Sequence, residues 1–176
     1  MRKKNLILTI ELIAIAISLI ALFFINIKAV ISILLFILLI LNYLIYKEKI
    51  GQELIIAVLF AIIITSYYLY EYTAANILIG KINIFPLTAW TAGLVLLREI
   101  YERLKTKHKL PIAYLIYLVS LLLVEYIGYY IFKIKLNSDF PSLLGLGIIH
   151  TTLEMKLIYI ITGPIYLIIT DYLKVK

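Results

Sequence analysis

The stretch PIAYLIYLVSLLLVEYIGYYIF, residues 111–132, decides the fold class of this chain. It is apolar except for one charged residue, Glu125, and it opens with a proline, which suits the first turn of a helix. A helix needs about 20 apolar residues to cross the hydrocarbon core of a bilayer. The stretch therefore predicts a transmembrane helix. Other apolar runs predict further spans at Leu6–Ile25, Ala29–Tyr46, Glu53–Tyr72, Pro86–Leu97 and Met155–Leu173.

The composition supports the same prediction for the whole chain. Of its 176 residues, 64% are hydrophobic and 15% are charged, and the mean hydropathy is +1.07. A soluble domain is about 45–50% apolar and about a quarter charged, so the excess apolar surface is expected to face lipid. This argues against a soluble enzyme, a disordered tail or a nucleic-acid-binding module. We predict an all-α fold, a polytopic transmembrane bundle of about six spans. We expect one integral membrane domain over residues 1–176, multi-pass in the cell membrane, with the lipid bilayer as partner.

Basic residues predict the orientation of this bundle. With the N-terminus inside, most of the 17 Lys and Arg residues fall in inner segments, including the basic loop Lys105–Lys109. Cytoplasmic segments carry such an excess, so both termini are expected in the cytoplasm. Tyrosines gather near the predicted span ends, which is typical of an aromatic belt at the headgroup level. The alternative is that these tyrosines line a ligand cavity.

Two segments of the chain resemble each other and predict a duplicated hairpin, spans three–four and five–six. The first contains Glu71-Tyr72, Lys81-Ile82-Asn83 and Phe85-Pro86. The second contains Glu125-Tyr126, Lys135-Leu136-Asn137 and Phe140-Pro141. Repeats in one orientation are related by an axis along the membrane normal, and transporters often place substrate between repeats. Chance similarity in a sequence rich in Tyr, Ile and Lys is the alternative.

The connections carry three further predictions. The polar segment Lys47–Gln52 predicts a loop between spans two and three. The apolar segment Pro141–Leu153 predicts a short helix that lies in the outer interface or re-enters the membrane. Gly163-Pro164 predicts a kink in the sixth span, because proline removes a backbone hydrogen bond and clashes with the preceding turn.

Small and charged residues predict helix contacts. Ala57, Ala61 and Thr65 recur every four residues, and small side chains let helix backbones approach closely in lipid. The segment Arg98–Arg103 predicts a solvated extension of span four, with an ion pair between Glu99 and Arg103. Docking of anionic lipid or a partner protein is a second possibility for this segment.

The candidate site residues are ionisable or aromatic groups placed inside or at the ends of the spans. Ionisable groups in a membrane are costly and are functional candidates by default. Glu11, in the first span, is either held by a hydrogen bond near the inner interface or carries a proton or cation. The ligand-binding candidates, all predicted on the outer side or near it, are Glu71, Glu125, Asp139, His150, Glu154 and Trp90.

The carboxylates in this set allow three roles. They could act as an acid–base pair, bind a divalent metal together with histidine, or pair with lysines in a solvated rim. With two histidines in the chain, no metal-ligand spacing is present. Nucleotide-binding and metalloprotease motifs are also absent, so no cofactor is predicted.

Three functions stay open. The first is binding or transport of a small molecule or amphiphile near the outer ends of spans three and five. The second is a membrane-embedded enzyme that acts on a lipid or isoprenoid by carboxylate acid–base chemistry. The third is a non-catalytic assembly subunit with a membrane-protein partner or a second copy. An enzyme requires Glu71 and Glu125 to converge on one cavity, whereas transport requires a cavity open to water.

Overall fold

The computed structural model describes residues 27–72, 76–136 and 140–174, and it is mostly helical. The all-α prediction is confirmed. The α-helices are α1 (Ile27–Tyr67), α2 (Ile84–Arg103), α3 (Lys109–Tyr126) and α4 (Leu153–Lys174). A small hairpin of β1 (Leu78–Ile79) and β2 (Ile82–Asn83) joins α1 to α2, and a π-helical turn, Ile127–Ile131, extends α3. Span one, with Glu11, lies outside the described residues.

Helix α1 folds back on itself. The Nζ atom of Lys28, near the start of α1, donates to Oδ1 of Asn76 at 3.2 Å and lies 4.8 Å from the ring centroid of Tyr72. A straight helix of 41 residues would be about 60 Å long, so its two ends could not meet in this way. The chain must therefore reverse direction between two apolar arms, Lys28–Leu44 and Gly51–Tyr67. The loop predicted at Lys47–Gln52 coincides with this reversal, although the backbone there is assigned as helical.

Helix α2 starts from a well-defined cap. The side chain of Asn83 accepts a hydrogen bond from the backbone N–H of Phe85 at 3.2 Å, which satisfies one of the free donors of the first turn. Pro86 follows in that first turn, where its missing N–H costs nothing. The helix ends at Arg103, so the predicted helical extension of span four is confirmed.

Two helices of the described residues are long and apolar enough to cross a membrane. They are Lys109–Ile131 and Leu153–Leu173, which match predicted spans five and six. The arms of α1 are shorter apolar helices, and α2 does not meet the same criteria of length and composition. The prediction of six spans is therefore not supported by the part of the chain that the structure describes.

The helices pack around a core of small and apolar residues, and the chain direction alternates from one helical segment to the next. Ala57 and Ala61 are fully buried and Thr65 is 1% exposed, which confirms the predicted helix contact on α1. The side-chain hydroxyl of Thr65 donates to the carbonyl of Ala61 at 2.6 Å, so its polar group is satisfied within the helix. The main core cluster joins all four helices and consists of Ala57, Leu94, Val95, Leu97, Ala113, Tyr117, Tyr166 and Leu167.

Helix α4 is continuous through Pro164 and is held closely against α3 at the preceding residue. A Cβ added at Gly163 would lie 2.7 to 2.8 Å from ring atoms of Tyr117. The Tyr117 hydroxyl donates to the backbone carbonyl of Tyr159, one turn before. Glycine at 163 is what allows the tyrosine ring to approach the helix. The kink predicted at Pro164 stays a prediction.

The segment that precedes α4 does not form the predicted helix. Between Pro141 and Leu153 the only regular element is a 3₁₀ turn, Leu143–Gly145. Leu144 and Ile149 have positive φ angles of 48° and 54°, and Gly145 and Gly147 have positive φ as well. A right-handed helix cannot contain such residues, so the glycines in this segment break the apolar run instead of continuing it.

The two similar segments have different local structures. Glu71 lies in non-helical backbone after α1, whereas Glu125 lies inside α3. Phe85-Pro86 opens the 20-residue helix α2, but Phe140-Pro141 leads into irregular backbone. The structure therefore gives no support to a duplicated hairpin. The segments instead contact each other through an antiparallel bridge between Tyr72 and Leu136.

Candidate functional site: an aromatic cluster around Glu125

Tyr70 is the centre of a cluster of aromatic side chains at one end of the helices. Its hydroxyl accepts a hydrogen bond from Nε1 of Trp90 at 3.1 Å. Its backbone carbonyl accepts from Nδ2 of Asn83 at 2.8 Å, so the residue that caps α2 also fixes the chain leaving α1. Tyr70 is 4% exposed. Hydrogen bonds therefore fix both the hydroxyl and the backbone carbonyl of Tyr70.

Glu125 joins this cluster through Tyr159. The Tyr159 side chain, on α4, lies close to the carboxylate of Glu125 on α3 and to the side chain of Tyr70. The rings of Tyr159 and Trp90 meet edge to face, with centroids 5.0 Å apart. Glu125, the two tyrosine hydroxyls and the indole N–H of Trp90 thus form one group of neighbouring polar atoms.

Further rings extend the cluster sideways. Tyr68 packs edge to face on Tyr70 at 5.0 Å, and Tyr72 stacks on Tyr70 at 6.3 Å. Phe85 packs edge to face on Tyr72 at 5.5 Å. We use the name aromatic cluster for Tyr68, Tyr70, Tyr72, Trp90 and Tyr159. Edge-to-face and offset pairs are favourable because the positive ring edge meets a negative ring face.

A buried lysine, Lys28, contacts the aromatic cluster at Tyr72. The ammonium of Lys28 faces the ring of Tyr72 and bonds to Asn76, whose Oδ1 also accepts from Asn83 at 3.0 Å. A shallow cleft lies here, lined by Lys28, Ser32, Asn76 and Phe85 among others. The aromatic rings therefore separate the cation of Lys28 from the carboxylate of Glu125.

The structure brings together two of the six predicted site residues, Glu125 and Trp90. Glu71 follows Tyr70 directly, but its own side chain is exposed. Glu154 is also exposed, in the first turn of α4, where a negative charge suits the helix dipole. Because Glu71 points away from the cluster, the two carboxylates do not form the acid–base pair that the enzyme hypothesis requires.

Of the remaining two candidates, His150 does not join the cluster. His150 stacks on Tyr129 with centroids 5.0 Å apart, and Lys135 lies 4.6 Å from the same ring centroid. Asp139 lies outside the described residues. Within residues 27–72, 76–136 and 140–174, no group of three or more metal-ligating side chains could hold a metal ion.

Sequence reasoning missed Tyr159 as a site residue and assigned Tyr70 and Tyr72 to the aromatic belt. One signal could have indicated Tyr159, since it is a hydroxyl-bearing residue well inside the apolar run Met155–Leu173. A buried tyrosine hydroxyl usually needs a hydrogen-bond partner, and Glu125 is the charged residue of the adjacent apolar run.

A second polar network, also missed, lies toward the opposite end of the helices. Arg98 on α2 is 3% exposed, and its Nε atom lies 3.0 Å from Oε1 of Glu53 on α1. Its Nη1 atom lies 2.5 Å from Oδ1 of Asp171 on α4, and Nη2 lies 3.4 Å from Oε1 of Glu102. We call Arg98, Glu53, Tyr101, Glu102 and Asp171 the arginine network.

Tyr101 completes the arginine network. Its hydroxyl donates to Oδ2 of Asp171 at 2.5 Å, and this hydrogen bond raises the pKa of the Tyr101 hydroxyl because it stabilises the protonated form. The Arg98 side chain is thus a structural link between three helices, not the solvated residue that the sequence predicts. The predicted pair of Glu99 and Arg103 is confirmed, with Nη2 and Oε2 3.5 Å apart.

No protein-family model matches the chain, and neither a curated protein nor a solved structure is detectably similar to it. The arguments about function therefore depend on the residues and contacts described above.

Proposed function

We propose that this protein is a multi-pass membrane protein that binds a small amphiphilic molecule at Glu125, beside the aromatic cluster. The first support is the exposure of α3. Only 11% of the apolar window in Lys109–Ile131 is buried within the chain, whereas the core helix of a soluble protein would be mostly buried. An apolar helix with such a free surface suits contact with lipid.

The observation that carries the binding proposal is the chemistry around Glu125. It is the charged residue of an otherwise apolar stretch, the neutral side chain of Tyr159 lies close to it, and it forms no ion pair within the described residues. A carboxylate in an apolar environment is costly without a charged partner, so its presence favours a functional role. The half-buried position of Glu125 leaves part of its side chain open to a ligand.

The alternating direction of the helical segments supports the multi-pass arrangement. Together with the apolar run Leu6–Ile25, the two arms of α1 and helices α2 to α4 would make six membrane segments with both termini on the cytoplasmic side. The aromatic cluster would then lie near the outer surface and the arginine network near the cytoplasm.

Single-cysteine labelling tests this topology, because the chain contains no cysteine. Lys81, in the β-hairpin, and Lys107, between α2 and α3, are both exposed. In intact cells, a membrane-impermeant maleimide should label Lys81→Cys but not Lys107→Cys, and permeabilised cells should label both. Equal labelling of the two variants in intact cells would contradict the proposed arrangement.

Native mass spectrometry tests the binding site. Wild-type protein released gently from the membrane should carry a discrete small molecule that the Glu125→Gln variant lacks. Glu71→Gln is the matched control, because it removes an exposed carboxylate next to Tyr70. If both variants retain the molecule, or if the wild type carries only bulk lipid, the binding proposal is wrong and the assembly-subunit hypothesis becomes the better one.

A further inference from the structure

We infer that the molecule bound at Glu125 is a cationic amphiphile, with an ammonium head at the carboxylate and an alkyl chain along α3. This inference rests on the proposed function and adds the chemical class of the ligand. It depends on three separate features of the site: the charge of Glu125, the aromatic rings around it, and the apolar face beside it.

The charge sets the sign of the head group. Glu125 forms no ion pair among the described residues, so a cation from outside the chain would supply the missing counter-charge. An anionic head group would instead be repelled by this carboxylate.

The rings favour an organic cation, and an ammonium group is one that they bind. Ammonium groups are attracted to the faces of tyrosine and tryptophan rings within about 6 Å of the centroid. This end of the molecule already shows that contact twice, with Lys28 at 4.8 Å from the Tyr72 centroid and Lys135 at 4.6 Å from the Tyr129 centroid. Tyr129 lies one helical turn beyond Glu125, so the two side chains share a face of the chain.

The position of Glu125 on α3 provides a place for the alkyl chain. Leu115, Val119 and Tyr126 are 63%, 58% and 52% exposed, and they share one side of the helix. At about 100° per residue, Glu125 projects about a quarter to a third of a turn away from that side. From Leu115 to Glu125 the helix rises about 15 Å, which is the length of an extended chain of about twelve carbons. An amphiphile with its head at Glu125 and its tail toward Leu115 would have the same orientation as a lipid in one leaflet of the bilayer.

Fluorescence of Trp90 provides a direct readout of this site, because Trp90 is the single tryptophan of the chain and bonds to Tyr70. The protein is held in uncharged maltoside micelles and titrated with dodecyltrimethylammonium. A saturable change in emission is expected for the wild type and for Glu71→Gln. For Glu125→Gln the apparent Kd should rise about tenfold or more, which corresponds to the loss of one charged contact.

Two matched probes test the charge of the head group and the need for the alkyl chain separately. Dodecanoate has a similar chain and the opposite charge, and it should give no saturable change. Tetramethylammonium has the head without the chain, and it should bind far more weakly. If tetramethylammonium alone saturates the site, the ligand is a free organic cation and the amphiphile part of the inference is wrong.

Adducts counted by native mass spectrometry give a second readout that does not depend on Trp90. The inference is overturned if Glu125→Gln binds dodecyltrimethylammonium as tightly as the wild type, or if dodecanoate binds equally well. Should a co-purifying molecule still depend on Glu125 in that case, the proposed function stands and only the ligand class is wrong. If neither experiment shows a dependence on Glu125, both proposals fail. Unchanged elution of Glu125→Gln from size exclusion confirms that the variant folds.

Discussion

The aromatic cluster and the arginine network differ in how the charged residue inside each region is paired. In the arginine network, Arg98 meets three carboxylates from three helices, so its buried positive charge is compensated inside the chain. Beside the aromatic cluster, Glu125 has the neutral side chain of Tyr159 close to it. A compensated network holds helices together, whereas a carboxylate surrounded by neutral groups leaves an interaction for another molecule. Substitutions in the arginine network should therefore change stability, whereas substitution of Glu125 should change the binding of another molecule.

The largest effect on stability is expected in the arginine network. Arg98→Ala would remove the guanidinium that lies 3.0 Å from the carboxylate of Glu53, which is 6% exposed. Breaking a buried pair in this way costs about 3–5 kcal/mol, and unfolding in micelles by a denaturant measures the loss. Arg103→Ala is the control, because the Arg103 side chain is 74% exposed and a surface pair contributes only about 0.2–1 kcal/mol. Equal losses for the two variants would show that the arginine network is not a structural link.

The next largest effect is expected between the two regions, at Gly163. Gly163→Ala would place a methyl group within 2.7 Å of the Tyr117 ring, and overpacking of this kind costs about 1–3 kcal/mol. The matched control is Gly93→Ala on α2, where nothing lies within 4 Å. That control should gain up to about 1 kcal/mol from helix propensity. The changes in the free energy of unfolding should therefore have opposite signs for Gly163→Ala and Gly93→Ala in the same measurement. Equal signs would contradict the close packing of Tyr117 on Gly163.

A smaller effect on stability is expected in the aromatic cluster itself. Tyr159→Phe keeps the ring against Trp90 and removes the hydroxyl that lies close to Glu125 and Tyr70. The loss should be about 0.5–1.5 kcal/mol, the usual net value of one hydrogen bond, with a shift in Trp90 emission. Tyr67→Phe, at a 63% exposed position, should change neither quantity. No emission shift in Tyr159→Phe would show that the Tyr159 hydroxyl does not influence Trp90.

The smallest effect is expected at Glu71, which is exposed. Glu71→Gln should change the free energy of unfolding by no more than about 0.5 kcal/mol, as is usual for surface substitutions. The same measurement on Glu125→Gln completes the comparison between the two carboxylates. A loss in Glu71→Gln that exceeds the loss in Arg103→Ala would mean that Glu71 takes part in a contact.

The sequence was most informative where one pattern decided the local structure. The helices at predicted spans five and six were predicted well, since long apolar runs in a chain of this composition fit a helix that exposes apolar side chains. Pro86 correctly predicted where α2 begins. These features depend on neighbours within a turn or two, which a sequence displays directly.

Features that depend on distant partners were not predictable in the same way. Arg98 looks solvated beside Glu99, Glu102 and Arg103, and its burial is set by Glu53 and Asp171, which lie far away in the chain. The short helix expected after Pro141 fails because several residues there adopt positive φ, which the apolar run conceals. Of the candidate site, Glu125 and Trp90 could be found as unusual residues, but the role of Tyr159 required the packing of α4.

Pro164 has a mechanical consequence for the relation between the two regions. Helix α4 carries Tyr159 to the aromatic cluster and Asp171 to the arginine network, about 18 Å apart along the helix axis. Pro164 lies between them and removes a backbone hydrogen bond from the helix. The preceding residue, Gly163, is the point at which the Tyr117 ring of α3 packs directly against the backbone of α4. The neighbouring helix thus supports α4 at the position where its own hydrogen bonding is interrupted.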